Sequence, residues 1–410
     1  MEIRQVLFLL MIISASLAAD IRSIVADPNF SELPLKQNCH FDPDLCRNVT
    51  ELITSKGYPC EQHTVVTSDG FILGVQRIPF GKIKPINATV RPVVFLQHGL
   101  LSSAVDWVIN SREDSLGYVL ADAGYDVWLG NLRGNTYSRR HTKYKPSSQE
   151  FWDFSWDEMA MIDLPAMLNY ALNVTGQKDM YYVGHSQGTT VAFAEFSRNA
   201  ELSKKIKKFF ALGPVSVVSH ITGAMKWMSY LTSDLQDFFN LFGYYEFLPN
   251  NQIMKILGKY FCRFPVQFVC DDIIFSIAGS DSTHLNRTRL PVYISHSPAG
   301  TSVKNMAHFG QMVRSGLFQM FDYGSVDKNI LHYNQPTAPL YNAMKVMVPV
   351  ALFTAENDPL ADDKDVMYLR DELPYIIYQK EIKGWNHLDF IWATDATQEV
   401  YLDILDMMKS

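Results

Sequence analysis

Three features that define whole classes of protein are scarce or missing in this sequence. After the first 20 residues, no stretch approaches the roughly 18 consecutive apolar residues that a membrane-spanning helix needs. No block of Lys and Arg stands out, which argues against a nucleic-acid partner. The five cysteines lack the C-x-x-C or H-x₃-H pairing of zinc sites, so neither a metal nor another cofactor is expected.

The remaining composition is that of an ordinary globular protein. Of the 410 residues, 47% are hydrophobic and 19% are charged, which is far from the balance of a disordered chain. A chain of this length can bury one large core, or one core with an inserted domain. The net charge of −7 favours solubility and indicates no particular partner, and it leaves the oligomeric state open.

The N-terminus predicts export. Residues 1–18 contain Arg4, an apolar run from Val6 to Ile13, and small residues at Ser16 and Ala18, which together are typical of a secretory signal cleaved after Ala18. The alternative, a membrane anchor, is disfavoured because the run is too short to span a bilayer. N-glycosylation sequons agree with a secreted protein, with the lysosome as the alternative location; they lie at Asn29, Asn48, Asn87, Asn173 and Asn286.

An exported chain can form disulfides, and the cysteine spacing suggests where. Cys262 and Cys270 are close enough in sequence for a local loop closure, and we predict that they pair. Cys39 with Cys46 is a second candidate pair. The odd number leaves Cys60 as the expected free thiol, although the pairing among these last three cysteines stays open.

Short apolar runs that end in Gly, Asn or Asp alternate with helix-like segments at 157–172 and 189–196. The runs are Pro92–Leu96, Tyr125–Leu129, Met180–Val183, Phe209–Leu212, Val348–Phe353 and Tyr375–Tyr378. This alternation predicts an α/β fold with a mostly parallel sheet covered on both faces. β-rich runs on both sides of Ser68-Asp69-Gly70 predict an antiparallel hairpin, which makes the sheet mixed.

Residues 215–340 interrupt this alternation. They are dense in Met, Phe, Tyr and Trp and lie between two strands that end at the same edge of the sheet. We interpret them as an inserted, largely helical cap; ordinary core helices are the alternative. The predicted organisation is a signal at 1–18, a core at 19–214 and 341–410, and a cap with a lid at 215–340.

The segment GHSQG, residues 184–188, matches the pattern G-x-S-x-G. It follows an apolar strand and precedes a helix, which favours a sharp strand-to-helix turn over a chance match in a loop. Such a turn exposes the hydroxyl of Ser186 next to the free N–H groups of a helix N-terminus. Ser186 is therefore the candidate nucleophile.

A serine hydroxyl needs a base, and the base needs an orienting acid. Asp358 follows a strong strand, and His387 follows the last strand, so the order is Ser, Asp, His. We expect His387 to take and return the serine proton and Asp358 to hold its imidazole. The neighbouring acids are expected to face solvent at the next helix or, for Asp389, to orient the histidine loop; the others are Glu356, Asp362, Asp363 and Asp365.

Two backbone donors are needed for the oxyanion. The residue after the nucleophile, Gln187, supplies one N–H, and we choose Leu100 in the loop Gln97–Leu101 for the other. His98 and His185 lie beside the site on sharp loops, and we interpret them as structural hydrogen-bonding residues.

From Gly57 to Met408, the sequence resembles the acid lipase family of α/β-hydrolases, which includes gastric, lysosomal and insect lipase-like proteins. The resemblance is carried by GYPCEQHTVVTSDGFILGVQRIP, LQHGLLSSAVDWV, GYDVWLGNLRGNTYSRRH, FWDFSWDEMAMIDLPA, YVGHSQGT, HSPAGTSVKNMAHFGQ, HYNQPTAPLYN and NHLDFIW. It implies the α/β-hydrolase fold with a helical cap and lid, and hydrolysis of neutral-lipid esters without a metal.

The resemblance also implies the site residues: Ser186, Asp358 and His387 as the triad, Leu100 and Gln187 as oxyanion donors, and a Cys262–Cys270 disulfide. Departures from the family pattern in MIDLPA and NLRGN do not touch these positions. We expect a secreted serine hydrolase that cleaves triacylglycerol or sterol esters at a lipid–water interface through an acyl-enzyme. The alternatives are a short-chain or specialised carboxylesterase and a non-catalytic lipid-binding protein on the same fold; an amidase or thioesterase is chemically compatible.

Overall fold

A computed structural model describes residues 42–83, 90–222, 226, 245–248, 279 and 283–409. Residues 1–46 form one compact unit and residues 47–410 another. In the first unit, a 3₁₀ helix at Pro43–Leu45 begins at Asp42, whose side chain accepts a hydrogen bond from the N–H of Asp44. The predicted signal and the sequons at Asn29 and Asn87 lie outside the described residues, as do residues 223–225, 227–244, 249–278 and 280–282 of the predicted cap.

Residues 47–410 are built on a mixed sheet of eight strands, which confirms the predicted fold class. The sheet strands are β1 Glu61–Val66, β2 Ile72–Ile78, β3 Val93–Gln97, β4 Asp126–Gly130, β5 Met180–His185, β6 Ile206–Leu212, β9 Val350–Ala355 and β10 Ile376–Ile382, and the two strands β7 Glu246–Phe247 and β8 Thr301–Ser302 form a separate antiparallel ribbon. The sheet order is β1-β2-β4-β3-β5-β6-β9-β10. Six neighbouring strands of this sheet run parallel, namely β4, β3, β5, β6, β9 and β10. Strands β1 and β2 form the predicted antiparallel hairpin, and β2 pairs antiparallel with β4.

Helices cover both faces of this sheet. They are α1 Val49–Ser55, α2 Leu116–Asp122, α3 Trp156–Glu158, α4 Leu164–Thr175, α5 Gln187–Arg198, α6 Ala200–Ser203, α7 Leu290–His296, α8 Val303–Ser315, α9 Val326–Tyr333, α10 Asp363–Glu372, α11 Asp389–Trp392 and α12 Leu402–Lys409, with π-helical turns at Met159–Asp163 and Thr397–Tyr401. Helix α5 is buried from Gln187 to Ser197, so it lies inside the molecule rather than on its surface. None of the helices in the described ranges combines the length and apolarity that a membrane span requires.

The packing places the carboxyl ends of the parallel strands at one edge. Strands β3, β4 and β5 are buried at every residue, as expected for parallel strands covered on both faces. In register, Gln97 lies beside Gly184 and Leu212 lies beside Phe353. The loops that follow these strands therefore meet, and they carry the candidate site residues.

The cysteines are resolved in part. Cys46 is disulfide-bonded, and Cys60 is free, in agreement with the expectation that Cys60 is the unpaired thiol. Cys39, Cys262 and Cys270 lie outside the described residues, so the predicted Cys262–Cys270 pair stays a prediction.

Candidate active site

Ser186 occupies the sharp turn between β5 and α5. Its φ of 53° and ψ of −121° lie in a region that L-residues rarely adopt. Its N–H donates to the carbonyl of Leu212 at 3.0 Å, which ties the turn to the end of β6. The flanking glycines permit this turn: a Cβ at Gly184 would stand 2.7 Å from the carbonyl oxygen of Gly188, and one at Gly188 would stand 2.3 Å from that of Gln97.

The loops after β9 and β10 bring Asp358 and His387 together. The Nδ1–H of His387 donates to Oδ2 of Asp358 at 2.7 Å, and both side chains are buried. The other oxygen of Asp358 accepts hydrogen bonds from the N–H groups of Leu360 and Ala361. Burial would raise the pKa of Asp358, but the interactions with His387 and with these N–H donors hold it below its usual value. The carboxylate is therefore ionised and fixes the Nδ1–H tautomer of His387.

This tautomer leaves Nε2 of His387 as the basic atom. Nε2 is buried, and within the described part of the chain it has no hydrogen-bond partner. An imidazole nitrogen that carries a lone pair can accept a proton from a hydroxyl. The arrangement therefore provides an oriented general base.

His98 and His185 act structurally, as predicted. The Nδ1–H of His98 donates to the carbonyl of Gly99, while its Nε2 accepts from the N–H of Leu132 and from Asn135. Nε2–H of His185 donates to the carbonyl of His387 at 2.9 Å. Burial lowers the pKa of His98 to about 4 and that of His185 to about 3, so both rings are neutral. They shape the two loops that surround Ser186.

The competing carboxylates have other partners. Glu356 accepts from the N–H of Gly384, and Asp362 caps α10 by accepting from the N–H of Lys364. Asp363 is exposed, but Asp365 is buried and binds Ser219 and His220, so the expectation that it faces solvent was wrong. It turns inward because its oxygens accept hydrogen bonds from Oγ of Ser219 and from the N–H of His220. Asp389 accepts from the N–H of Asn386, in agreement with its predicted role in the histidine loop.

The proposed oxyanion donors lie on two elements that approach closely. A Cβ at Gly99 would stand 2.9 Å from Cβ of Ser186, so the loop after β3 touches the nucleophile turn. Leu101, next to Leu100, has a φ of 59°, and its carbonyl accepts from the N–H of Ala299 at 2.6 Å. Gln187 is the first residue of α5, where helix N–H groups have no intrahelical acceptor.

Two sets of contacts were missed by reasoning from the sequence. Arg133 is buried and binds both Asp69 and Asp163, which joins the hairpin, the loop after β4 and the π-helical turn. Nδ2 of Asn305 donates to Oε1 of Gln187 at 2.8 Å across 118 positions of sequence. Both sets lie in segments that carry the family resemblance, namely TSDGF, NLRGN, MIDLP and SVKNM, but no local pattern pairs them.

Among the residues that the structure describes, no cluster of three or more His, Cys, Asp or Glu could hold a metal ion. The eight-stranded sheet, the strand–Ser186–helix turn and the histidine after the last strand define the class of this protein as an α/β-hydrolase.

Comparisons with known proteins make this class more specific. The family model for the alpha/beta hydrolase fold matches residues 92–394, and that for the partial alpha/beta-hydrolase lipase region matches residues 49–111. Gastric triacylglycerol lipase of Homo sapiens is 50% identical over 368 residues, which cover 90% of this chain and 92% of that protein. The rat protein of the same name is 49% identical over 368 residues, covering 90% and 93%. Lysosomal acid lipase/cholesteryl ester hydrolase of Homo sapiens is 47% identical over 369 residues, covering 90% and 92%.

The chain therefore belongs to the acid lipase family of α/β-hydrolases, whose members are carboxylic ester hydrolases.

Proposed function

We propose that this protein hydrolyses the carboxylic esters of neutral lipids through an acyl-enzyme on Ser186. The observation that carries the proposal is the buried Asp358–His387 pair. The carbonyl of His387 accepts a hydrogen bond from His185, the residue before Ser186, so the histidine loop is bonded to the nucleophile turn. A base, an orienting carboxylate and a serine on a strand-to-helix turn are the parts that serine acyl transfer requires.

In the first half of the reaction, Nε2 of His387 takes the proton from Oγ of Ser186 as the oxygen attacks the ester carbonyl. Asp358 stabilises the resulting imidazolium. The N–H groups of Leu100 and Gln187 stabilise the negative charge on the former carbonyl oxygen, at the positive end of the α5 dipole. His387 then gives its proton to the leaving alcohol, and the acyl group stays on Ser186.

In the second half, water replaces the alcohol. His387 takes a proton from the water as its oxygen attacks the acyl carbon, and the same two N–H groups stabilise the second tetrahedral intermediate. The Ser186 oxygen leaves with the proton from His387. One ester and one water become one carboxylic acid and one alcohol, and the enzyme returns to its starting state.

The substrate class is supported by the names of the relatives. One human relative is named a triacylglycerol lipase and another a cholesteryl ester hydrolase. The similar identities, 50% and 47%, do not favour one of these esters over the other. We therefore propose a triacylglycerol or a sterol ester, presented at a lipid–water interface.

The location that we propose is extracellular, with the lysosome as the alternative. The signal-like sequence of residues 1–18 supports export, and relatives are named for both the stomach and the lysosome. We propose glycosylation at the five sequons. Of these, Asn48 is exposed at the N-cap of α1, Asn173 is exposed on α4, and Asn286 is half-exposed before α7.

The proposal is tested by hydrolysis of a trioleoylglycerol emulsion and of a soluble butyrate ester. Wild type should cleave both, and Ser186→Ala should lose about 10⁶ in kcat, as for other triad serines. Circular dichroism checks that both proteins are folded. A folded wild type that cleaves neither ester would overturn the proposal and favour a lipid-binding role, and cleavage of the butyrate ester alone would favour a short-chain carboxylesterase.

A further inference from the structure

We propose that Asn305 is a positioning residue that holds the oxyanion-stabilising end of α5, and that residues 299–305 brace both halves of the oxyanion hole. We call residues 299–305 the brace segment. This inference rests on the proposed function, because it assigns a task within the same reaction. It concerns a side chain far in sequence from Ser186, Asp358 and His387.

The first contact of the brace segment is with Gln187. The Nδ2 group of Asn305 donates to Oε1 of Gln187 at 2.8 Å, and both residues are buried. Nε2 of Gln187 contacts Sδ of Met159, in the π-helical turn, at 3.3 Å. The side chain of Gln187 is therefore held at both polar atoms, and its backbone N–H, the proposed donor, belongs to the same residue.

The second contact is with the other half of the hole. The N–H of Ala299 donates to the carbonyl of Leu101 at 2.6 Å, and Leu101 has a φ of 59°. A leucine in this left-handed conformation is strained unless its surroundings hold it. The proposed donor, Leu100, is its immediate neighbour. One stretch of seven residues thus contacts both loops that would bind the oxyanion.

Asn305 itself is fixed in place. Its N–H donates to Oγ of Ser302, which caps α8, and its Nδ2 group also donates to Oγ1 of Thr301. Ser302 and Thr301 form strand β8, which pairs with β7 of the inserted region. The brace segment is therefore part of the inserted region between β6 and β9.

The hydrogen bonding of Asn305 favours a functional role over a role in core packing alone. Its Oδ1 is buried, and in the described ranges it has no hydrogen-bond partner. A buried acceptor without a partner is destabilising, so what the amide gains lies in the two hydrogen bonds that its Nδ2 group donates. The amide is explained if its bond to Gln187 is needed, whichever of the two amides donates.

The test compares Asn305→Ala with a matched control, Asn329→Ala. Asn329 is also buried, and its Nδ2 group also donates two hydrogen bonds, to Asp322 and to the carbonyl of Pro336, but neither partner belongs to the site. The control reports the general cost of truncating a buried asparagine. Gln187→Met removes the same hydrogen bond from the other side without a loss of volume, and it keeps the backbone N–H of residue 187.

For each variant, kcat, KM and the pH profile are measured with the soluble butyrate ester, together with the inhibition constants of a trifluoromethyl ketone and of a dialkyl ether of matched length. That ketone forms a tetrahedral adduct with an oxyanion, whereas the matched dialkyl ether does not, so the ether reports ground-state binding. Loss of a whole oxyanion donor lowers kcat by a factor of about 10² to 10³. For a donor that is present but misplaced, we expect kcat to fall by about 10- to 100-fold.

We expect Asn305→Ala and Gln187→Met to lower kcat by the same factor, to weaken the trifluoromethyl ketone by that factor, and to leave ether binding and the pH profile unchanged. The double variant should be no worse than either single variant. The inference is overturned if Asn305→Ala matches Asn329→Ala, if ketone and ether weaken equally, or if the two single effects add.

Failure of this inference and failure of the proposed function give different results. If wild type hydrolyses no ester, or if Ser186→Ala keeps the wild-type rate, the proposed function fails and the brace segment fails with it. If Ser186→Ala is inactive while Asn305→Ala behaves as the control, the brace alone is wrong and the proposed function is unaffected.

Discussion

At the scale of single residues, the site depends on one strained position. Ser186 has φ 53° and ψ −121°, and such backbone conformations cost of the order of 1–3 kcal/mol unless the surroundings maintain them. The carbonyl of Ser186 accepts from the N–H of Thr189 at 2.8 Å and from its hydroxyl at 2.6 Å, and its N–H is bound by Leu212. These bonds offset the strain and keep the hydroxyl above the first turn of α5.

The role of Asp358 leads to a prediction. In Asp358→Asn, the carboxylate that holds His387 in the Nδ1–H tautomer is lost, so kcat for the butyrate ester should fall by about 10⁴. Asp365→Asn is the control, because Asp365 is equally buried and also binds a histidine, His220, away from the site. Steady-state kinetics measure both. If Asp358→Asn has near-normal turnover and Asp365→Asn loses activity, Asp358 is not the acid that orients His387.

The positions of some candidate site residues can be predicted from local sequence, whereas other contacts join residues that are far apart in the sequence. Ser186, Asp358 and His387 were predictable because each follows an apolar strand, and parallel strands end at one edge. The buried state of Asp365 was not, because it depends on residues 219–220 that lie about 145 positions away. The contact of Asn305 with Gln187 was also not predictable, because a single asparagine in a helix gives no sequence pattern that indicates its partner.

At the scale of elements, the predicted helix at 157–172 is not uniform. It consists of α3, the π-helical turn Met159–Asp163 and α4. The extra residue of the π turn places Sδ of Met159 against Gln187 and Asp163 against Arg133. Periodicity predicted that a helix exists, but the turn depends on tertiary contacts, so its bounds could not be derived from the apolar pattern.

The predicted strands can be compared with the observed ones directly. Five of the six predicted runs start within two residues of an observed strand, because buried parallel strands are continuous apolar runs. The sixth run starts at Phe209, whereas β6 begins three residues earlier, at Ile206. Its first residues include Lys207 and Lys208, so they carry no apolar signal. The predicted organisation of residues 215–340 stays a prediction, since residues 223–225, 227–244, 249–278 and 280–282 lie outside the described residues.

The Arg133 contacts give a prediction at this scale. Arg133 donates to Asp163 through its N–H, Nε and Nη2, and its guanidinium lies 4.2 Å from the Phe71 ring centroid. Burial would lower the pKa of Arg133, but Asp163 and Asp69 hold it above its usual value. Arg133→Met leaves Asp163 buried without its partner, so the free energy of unfolding should fall by about 3–5 kcal/mol.

Urea unfolding measures this loss, and the double variant Arg133→Met, Asp163→Asn is its control. Because the double variant removes both buried charges, it should be more stable than Arg133→Met alone. A single variant that loses less than about 1 kcal/mol, or a double variant that is less stable than the single one, would show that the ion pair is not what joins these elements.

At the scale of the whole molecule, buried titratable groups make stability depend on pH in opposite directions. Burial lowers the pKa of His308 to about 3, and it raises the pKa of Asp106 to about 7 and that of Asp157 to about 6. The unfolded histidine binds a proton that the folded one does not, so His308 costs stability as pH falls below about 6.5. The folded carboxyls hold protons that the unfolded chain releases, so they cost stability as pH rises above about 4.

A substitution at Asp106 tests how a buried carboxyl lowers stability at higher pH. It is buried beside the loop that carries Leu100, and it accepts a hydrogen bond from Ser102. Asp106→Asn mimics the protonated carboxyl, so it should match wild type near pH 4 and be more stable near pH 8 by a few kcal/mol, as an order of magnitude. Thermal unfolding at the two values of pH measures this difference.

The control for this prediction is Asp371→Asn, which makes the same substitution at an exposed carboxylate beside Arg370, outside the core. If Asp106→Asn is less stable than wild type near pH 8, the carboxylate is stabilised in the folded protein, and the assignment of Asp106 as a proton-holding group is contradicted.

The central claim is that Ser186 is a nucleophile activated by His387. It is tested most directly by labelling with the p-nitrophenyl ester of an ethyl hexylphosphonate, followed by peptide mass spectrometry. Oγ of Ser186 should displace one p-nitrophenolate per protein molecule and form one Oγ–P bond on the peptide that contains Ser186. His387→Ala should label far more slowly, and Ser186→Ala should not label. Labelling of another residue, or equal labelling of Ser186→Ala and wild type, would contradict the account.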